Sequence, residues 1–223
     1  GSWCGASALT WGEAMALYTG GGRLICVDPW QSYTDLVANP DELNRVMNDQ
    51  FGADQAFDVF TSNMAFLPQS VALDVRRSMS RDVLPTFTNA SLDLVYIDGD
   101  HVHDAVASDI DQSMPLLRDG GILCGDDLEL QAYDCTPFQL DQASGVERLW
   151  DGPLNDFFHP GVTRAVSERL GRVSSWHGFW AMRKDGDAWC AVSLDGMPMR
   201  IPSHLPSKSL MGLKAFLMKN GLI

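Results

Sequence analysis

Along the chain, short continuous apolar runs alternate with longer stretches in which apolar residues recur every three or four positions. Leu24 to Val27, Leu92 to Ile97 and Ile122 to Cys124 are continuous runs, and Val71 to Val75 is a weaker fourth. Runs of this kind suit strands of a parallel sheet covered on both faces. Between them lie stretches with helical spacing. Ala6 to Tyr18 carries Leu9, Trp11, Ala14 and Met15, and Asp41 to Gln50 follows an Asn-Pro start signal. Ala56 to Phe66 carries Phe57, Phe60 and Met64, and His103 to Leu117 carries Val106, Ile110 and Met114. Pro115 should tighten the end of the last helix, and Asp119-Gly120-Gly121 should stop it. Strand and helix in alternation predict an α/β fold: a doubly wound, mostly parallel sheet with helices on both faces.

The second half is patterned differently. Residues 128 to 160 are irregular and rich in Pro, Gly, Asp and aromatics, a length that predicts short helices or a lid. Gly161 to Leu170 reads as a helix. Val173 to Arg183 and Ala188 to Leu194 flank Lys184-Asp185-Gly186-Asp187, which predicts an antiparallel hairpin on the C-terminal side. A Pro- and Ser-rich tail begins at Ile201 and ends in a helix over Lys208 to Lys219.

The ends of the apolar runs are acidic: Asp28, Asp98, and Asp126 with Asp127. Right-handed crossovers place strand C-termini on one edge of such a sheet, where ligands bind. If the runs ending in Asp98 and Asp126 are neighbouring strands, they lie about 4.8 Å apart. Three carboxylates in so small a volume call for a cation or a shared proton. Oxygen-only ligands point to Mg²⁺ or a similar hard ion, which can hold an acceptor hydroxyl and lower its pKa. His101, three residues past Asp98, is placed to take the proton. The competing reading is that these aspartates cap helices and that His101 is a surface histidine. His103, His159, His177 and His204 read as structural or substrate-side.

The chain opens Gly1-Ser-Trp-Cys-Gly5-Ala-Ser7, directly before the first helix. Glycines let backbone N–H groups approach a ligand, and a helix N-terminus favours an anion. That anion is a phosphate or the carboxylate of S-adenosylmethionine (SAM); a plain turn remains the bland alternative. Asp28, at the end of the next strand, is placed to accept from ribose hydroxyls, a feature shared by NAD and SAM sites.

Composition narrows the classes. The chain has 223 residues, 45% of them apolar and 20% charged, enough to bury a core without staples. Its formal net charge is −13, and the 16 Lys and Arg residues are scattered, which argues against nucleic-acid binding. No apolar run approaches the roughly 18 residues of a membrane span. The 5 cysteines form no Cys-x-x-Cys pair, which fits a reducing cytoplasm. A homo-oligomer is compatible with all of this.

The order of motifs resembles a known family. Gly1-Ser-Trp-Cys-Gly-Ala-Ser7, Val27-Asp28, Ser78-Met-Ser80, Asp93-Leu-Val-Tyr-Ile-Asp-Gly-Asp-His101 and Leu117-Arg-Asp-Gly-Gly-Ile-Leu-Cys-Gly-Asp-Asp127 are similar to class I SAM-dependent methyltransferases. The subgroup is the methyltransferase-24-like proteins, akin to metal-dependent catechol and macrolide-sugar O-methyltransferases. The resemblance implies that Gly1, Ser2, Gly5 and Ser7 hold the methionine end of SAM, that Asp28 binds its ribose, and that Ser78, Met79 and Ser80 flank adenine. It implies that Asp98, Asp126 and Asp127 are metal ligands, with Asp98 also bordering the cofactor, and that His101 is the catalytic base. Asp127 departs mildly from a pattern that often has Asn there. The resemblance implies a methyltransferase domain over 1–200, with 128–160 as lid or acceptor region, and a tail over 201–223. It also implies a central strand before the glycine loop. Nothing precedes Gly1, so the expected sheet lacks its first strand and has a gap between its halves. The expected reaction is methylation of a small-molecule or sugar hydroxyl. A SAM-binding module without turnover and a dinucleotide-dependent oxidoreductase are the rival readings.

Overall fold

The computed structural model describes residues 1–31, 45, 46, 49, 54–198 and 200–205. Four strands alternate with helices. Helix α1 (Ala6–Tyr18) leads into β1 (Gly22–Asp28), and α2 (Gln55–Met64) into β2 (Val71–Arg77). The short α3 (Ser80–Val83) leads into β3 (Leu92–Ile97), and α4 (His103–Ser113) into β4 (Leu117–Leu128). β1 pairs with β2, and β3 with β4, both in parallel. After α5 (Pro137–Asp141) come a small hairpin, β5 (Leu149–Asp151) and β6 (Asp156–Phe158), and then α6 (Pro160–Leu170). β7 (Ser174–Trp176), β8 (Gly178–Asp185) and β9 (Ala188–Ala191) complete the described chain. β8 lies antiparallel beside β4 and carries β7 and β9.

The α/β alternation, the parallel pairing of the first four strands and the C-terminal hairpin agree with the sequence pattern. The antiparallel β7, β8 and β9 extend the parallel part. Among the described residues β1 and β3 are not paired, so β1–β2 and β3–β4–β8–β7 are separate sheets. The glycine loop and α1 bridge them: the Trp11 ring lies 5.5 Å from Tyr96 of β3.

Two details differ from expectation. α4 closes at Ser113 rather than Leu117, because Pro115 supplies no N–H and crowds the turn before it. Asp119-Gly120-Gly121 lies inside β4 rather than at a helix end. There Gly120 takes φ +77° and the pairing jumps from Leu92 opposite Leu117 to Leu94 opposite Ile122, a bulge that positive-φ glycine permits. The helix expected over 41–50 lies outside the described residues apart from 45, 46 and 49, and the helix over 208–219 lies wholly outside them.

Two cores hold the frame. Val106 and Ile110 of α4 and Val162, Ala165 and Val166 of α6 close over Ile97, Leu123, Leu128, Trp180 and Met182 of the larger sheet. Ala8, Cys26, Trp30, Ala56 and Phe60 form the second core, under the glycine loop. Each fully buried aliphatic or aromatic side chain contributes about 1.5–3 kcal/mol. The strand ends that carry the acidic residues are therefore set on packed supports.

Candidate functional site

The glycine loop is pinned from both sides. The N–H groups of Ser2 and Trp3 donate to Asp28 Oδ2 at 2.7 and 2.9 Å, and that of Trp30 donates to Oδ1 at 2.6 Å. Trp30 Nε1 donates to the Trp3 carbonyl, and Asn63 Nδ2 to the Cys4 carbonyl, each at 2.8 Å. Gly5 sits at φ +88°, and a Cβ there would meet Met64 Cε at 2.7 Å. A Cβ on Gly1 would lie 2.2 Å from the Asp98 carbonyl oxygen. The loop thus spans the ends of β1 and β3, with Ser7 in the first turn of α1 behind it. These residues fit a loop that presents N–H groups and a helix N-terminus to an anionic group. Asp28 is buried; its Oδ2 anchors the loop and its Oδ1 the Trp30 backbone, and a ribose hydroxyl would share that carboxylate.

The Ser78–Ser80 segment closes the neighbouring edge. Met79 is extended before α3, and Ser80 Oγ donates to Asp109 Oδ1 at 2.6 Å, tying the end of β2 to α4.

Asp98, Asp100, His101, Asp126 and Asp127 line one small cleft, together with Ile97, Val106, Val162 and Trp180. Burial raises the carboxyl pKa values of Asp98 and Asp126 above the usual range. The Tyr96 hydroxyl donates to Asp126 Oδ2 at 3.2 Å, and burial holds the phenol protonated. Asp127 adopts φ +62° where β4 loses register with β8 between Gly125 and Leu128. That turn swings its carboxylate toward His101, whose Nε2 is 3.1 Å from Asp127 Oδ2. His101 Nδ1 is 3.0 Å from Glu147 Oε1. Burial alone would lower the imidazole pKa, but the hydrogen bonds to Asp127 and Glu147 outweigh it and hold it up at about 10. Burial likewise works to raise Asp127, and the His101 bond overrides it, so this carboxylate stays low.

A second histidine arrives from the C-terminal half. Pro160 opens α6, where its missing N–H costs nothing, and His159 precedes it as the cap. A Cβ on Gly161 would lie 2.1 Å from the His101 carbonyl oxygen, so this glycine lets α6 approach the His101 segment. The His101 and His159 rings stand 4.5 Å apart. His159 Nδ1 is 3.1 Å from Glu129 Oε1 and 3.8 Å from Asp127 Oδ1. Among the described residues, one trio of ligand side chains has atoms within 4.8 Å of one another: His101, Asp127 and His159. Asp98 and Asp126 share the cleft but stand outside that trio.

Sequence reasoning placed Asp98, Asp126, Asp127 and His101 at one edge but missed Glu147 and Glu129 and assigned no partner to His159. A His-Pro-Gly step opening a helix was the available signal for His159. Trp180 of β8 lies in the cleft as well, 1% exposed, with its indole Nε1 lacking a hydrogen-bond partner among the described residues. Of the aromatics expected in the acceptor region, Phe158 is core, whereas Tyr133, Phe138, Trp150 and Phe157 are exposed.

Several solved structures align with the chain at low identity. A protein of Corynebacterium glutamicum aligns at 16% identity, covering 80% of this chain and 90% of its own, with a TM-score of 0.41. A SAM-dependent methyltransferase of Methanosarcina mazei aligns at 10% identity over 83% and 90%, with a TM-score of 0.46. The calicheamicin methyltransferase CalS11 aligns at 14% identity over 82% and 69%, with a TM-score of 0.48. No curated protein matches the chain. The model of a methyltransferase domain matches residues 1–128, more than half the chain and the stretch that carries the glycine loop, Asp28, Asp98, Asp126 and Asp127. The chain belongs to this methyltransferase family and is a SAM-dependent methyltransferase.

Proposed function

We propose that the acceptor is a hydroxyl oxygen of a small molecule, of the sugar or catechol type, and that a divalent ion, Mg²⁺ in the simplest case, assists. The observation that carries this reading is His101, fixed by two carboxylates in the cleft that also holds Asp98, Asp126 and Asp127. SAM, when bound, supplies an electrophilic methyl group. A hard ion, when bound by Asp98, Asp126 and Asp127, supplies positive charge to the acceptor oxygen.

The chain's own residues do the rest. Gly1, Ser2, Gly5 and Ser7 seat the methionine end of SAM, Asp28 takes the ribose, Ser78, Met79 and Ser80 flank adenine, and Asp98 borders both donor and ion. In its neutral form, reached by releasing the proton that Asp127 and Glu147 hold on it, His101 takes the acceptor hydroxyl's proton on Nε2, and Glu147 holds the ring so that Nε2 faces the cleft. Trp180 offers its indole N–H to an oxygen there. Rate enhancement comes mainly from positioning and charge control. Residues 128–160, with the Trp150–Phe157 pair of the β5–β6 hairpin, form the acceptor side. The 5 cysteines are all unpaired and the net charge is −13, which supports a cytoplasmic enzyme acting on small molecules rather than nucleic acid.

The test is turnover of radiolabelled SAM against a panel of sugar and catechol acceptors, with and without a chelator. Methyl transfer that needs both a hydroxyl acceptor and a divalent ion is the expected result. Transfer to nitrogen or sulfur acceptors alone would overturn it.

A further inference from the structure

We propose that His101, Asp127 and His159 form a second ion site, for a borderline transition metal such as Zn²⁺, beside the oxygen-only set. One donor atom from each of the three residues already lies within 4.8 Å of the others, so small side-chain adjustments close the set around an ion. Zinc takes His nitrogen and carboxylate oxygen at about 2.0–2.2 Å, so ligands on tetrahedral vertices stand ~3.4 Å apart. Here His101 Nε2 and Asp127 Oδ2 are 3.1 Å apart, and His159 Nδ1 and Asp127 Oδ1 3.8 Å. Glu129, 3.1 Å from His159 Nδ1, supplies a second carboxylate at the same place.

The outer contacts fit as well. A metal-bound imidazole characteristically gives its other N–H to a carboxylate, which fixes the tautomer. Glu147 Oε1, 3.0 Å from His101 Nδ1, is placed for that and leaves the Nε2 lone pair toward Asp127. Once an ion has displaced the imidazole protons, the carboxylates of Asp127, Glu129 and Glu147 around it balance its charge. Imidazole ligands favour zinc, copper or nickel over Mg²⁺. Binding displaces any protons on His101 Nε2 and His159 Nδ1 to solvent. It also occupies the lone pair of His101, so the ion inhibits methyl transfer; this consequence rests on the proposed role of His101.

The test combines Zn²⁺ calorimetry in excess Mg²⁺ with Co²⁺ absorption spectroscopy, both on the full chain. One Zn²⁺ per chain is expected, weakened by about tenfold or more in His159→Gln and by about 10–100-fold in Glu147→Gln. Co²⁺ in the wild-type protein should show the intense visible bands of a four- or five-coordinate site containing nitrogen. Unchanged Zn²⁺ affinity in both variants, or a weak octahedral Co²⁺ spectrum, would overturn the site. The Co²⁺ spectrum decides the matter even if either variant fails to fold. Zn²⁺ that binds as described yet leaves SAM turnover unchanged removes the inhibition and the base role of His101, while the ion site stands.

Discussion

His101 Nδ1 lies 3.0 Å from Oε1 of Glu147, a residue 46 positions further along the chain. This contact ties the irregular second half of the molecule to the acidic edge of the sheet. It leaves Nε2 as the nitrogen that faces Asp127 and the cleft. Replacing His101 with Gln should lower kcat by about 10²–10⁴-fold, the usual contribution of a positioned base, with SAM affinity unchanged. Steady-state kinetics beside calorimetric SAM titration checks both halves. Equal kcat in the variant removes His101 from the chemistry.

The same contact makes stability depend on pH. The folded His101 pKa is raised from 6.5 to about 10. A raised folded value stabilises the protein fully below the unfolded pKa and loses that contribution as pH rises through the folded one. Metal-free protein should therefore lose stability between pH 6.5 and about 10 through this group. Melting curves in chelator across that range, compared with His101→Gln, isolate the effect. A difference between the two proteins that does not shrink with rising pH contradicts it.

Asp28 is predicted to matter first as an anchor. Asp28→Ala removes the acceptor for the N–H groups of Ser2, Trp3 and Trp30. Each orphaned buried donor costs about 1–3 kcal/mol, less where water reaches it. Denaturant titration should show a loss of that order, with weaker SAM binding alongside. A variant of native stability that only binds SAM less well would mean that the carboxylate serves the ligand alone.

Much of this was legible in the chain. The apolar runs that lead into Asp28, Asp98 and Asp126 are short, and their pattern is local. Helix α1 was legible to its boundaries, because its start and stop lie beside glycines. Glu147, Glu129 and His159 were not, because their roles arise from long-range convergence that no periodicity records. The β5–β6 hairpin was hidden for a related reason: its strands, Leu149–Asp151 and Asp156–Phe158, are too short to show alternation.

Trp180 offers a prediction of opposite sign. Its buried Nε1 has no partner among the described residues, so Trp180→Phe removes an unsatisfied donor along with some packing. Stability should change by no more than about 1 kcal/mol, in contrast to an ordinary large-to-small change in the core. The KM for the acceptor should rise. Thermal melts and acceptor titration report the two separately; a large loss of stability with an unchanged KM would make Trp180 purely a core residue.

Gly161 controls how closely α6 meets the His101 segment. Gly161→Ala would set a methyl group 2.1 Å from the His101 carbonyl oxygen, beyond what side-chain motion can absorb. Overpacking of this kind costs about 1–3 kcal/mol. The backbone must yield, and His159 moves with it, so the variant should lose stability and Zn²⁺ affinity together. Denaturation and calorimetry on the one protein test that coupling.

The left-handed backbone at Asp127, φ +62°, limits which residues its codon can usefully mutate to. Gly, Asn and Asp occupy that region with least strain. Of these, Asp brings a charge, Asn keeps an oxygen ligand without one, and Gly brings neither. The position therefore reads as a three-letter alphabet in which the backbone is nearly indifferent and the chemistry changes at every letter. Descendants of this enzyme can retune the charge of their catalytic edge here in a single step, without first rebuilding the strand that carries it.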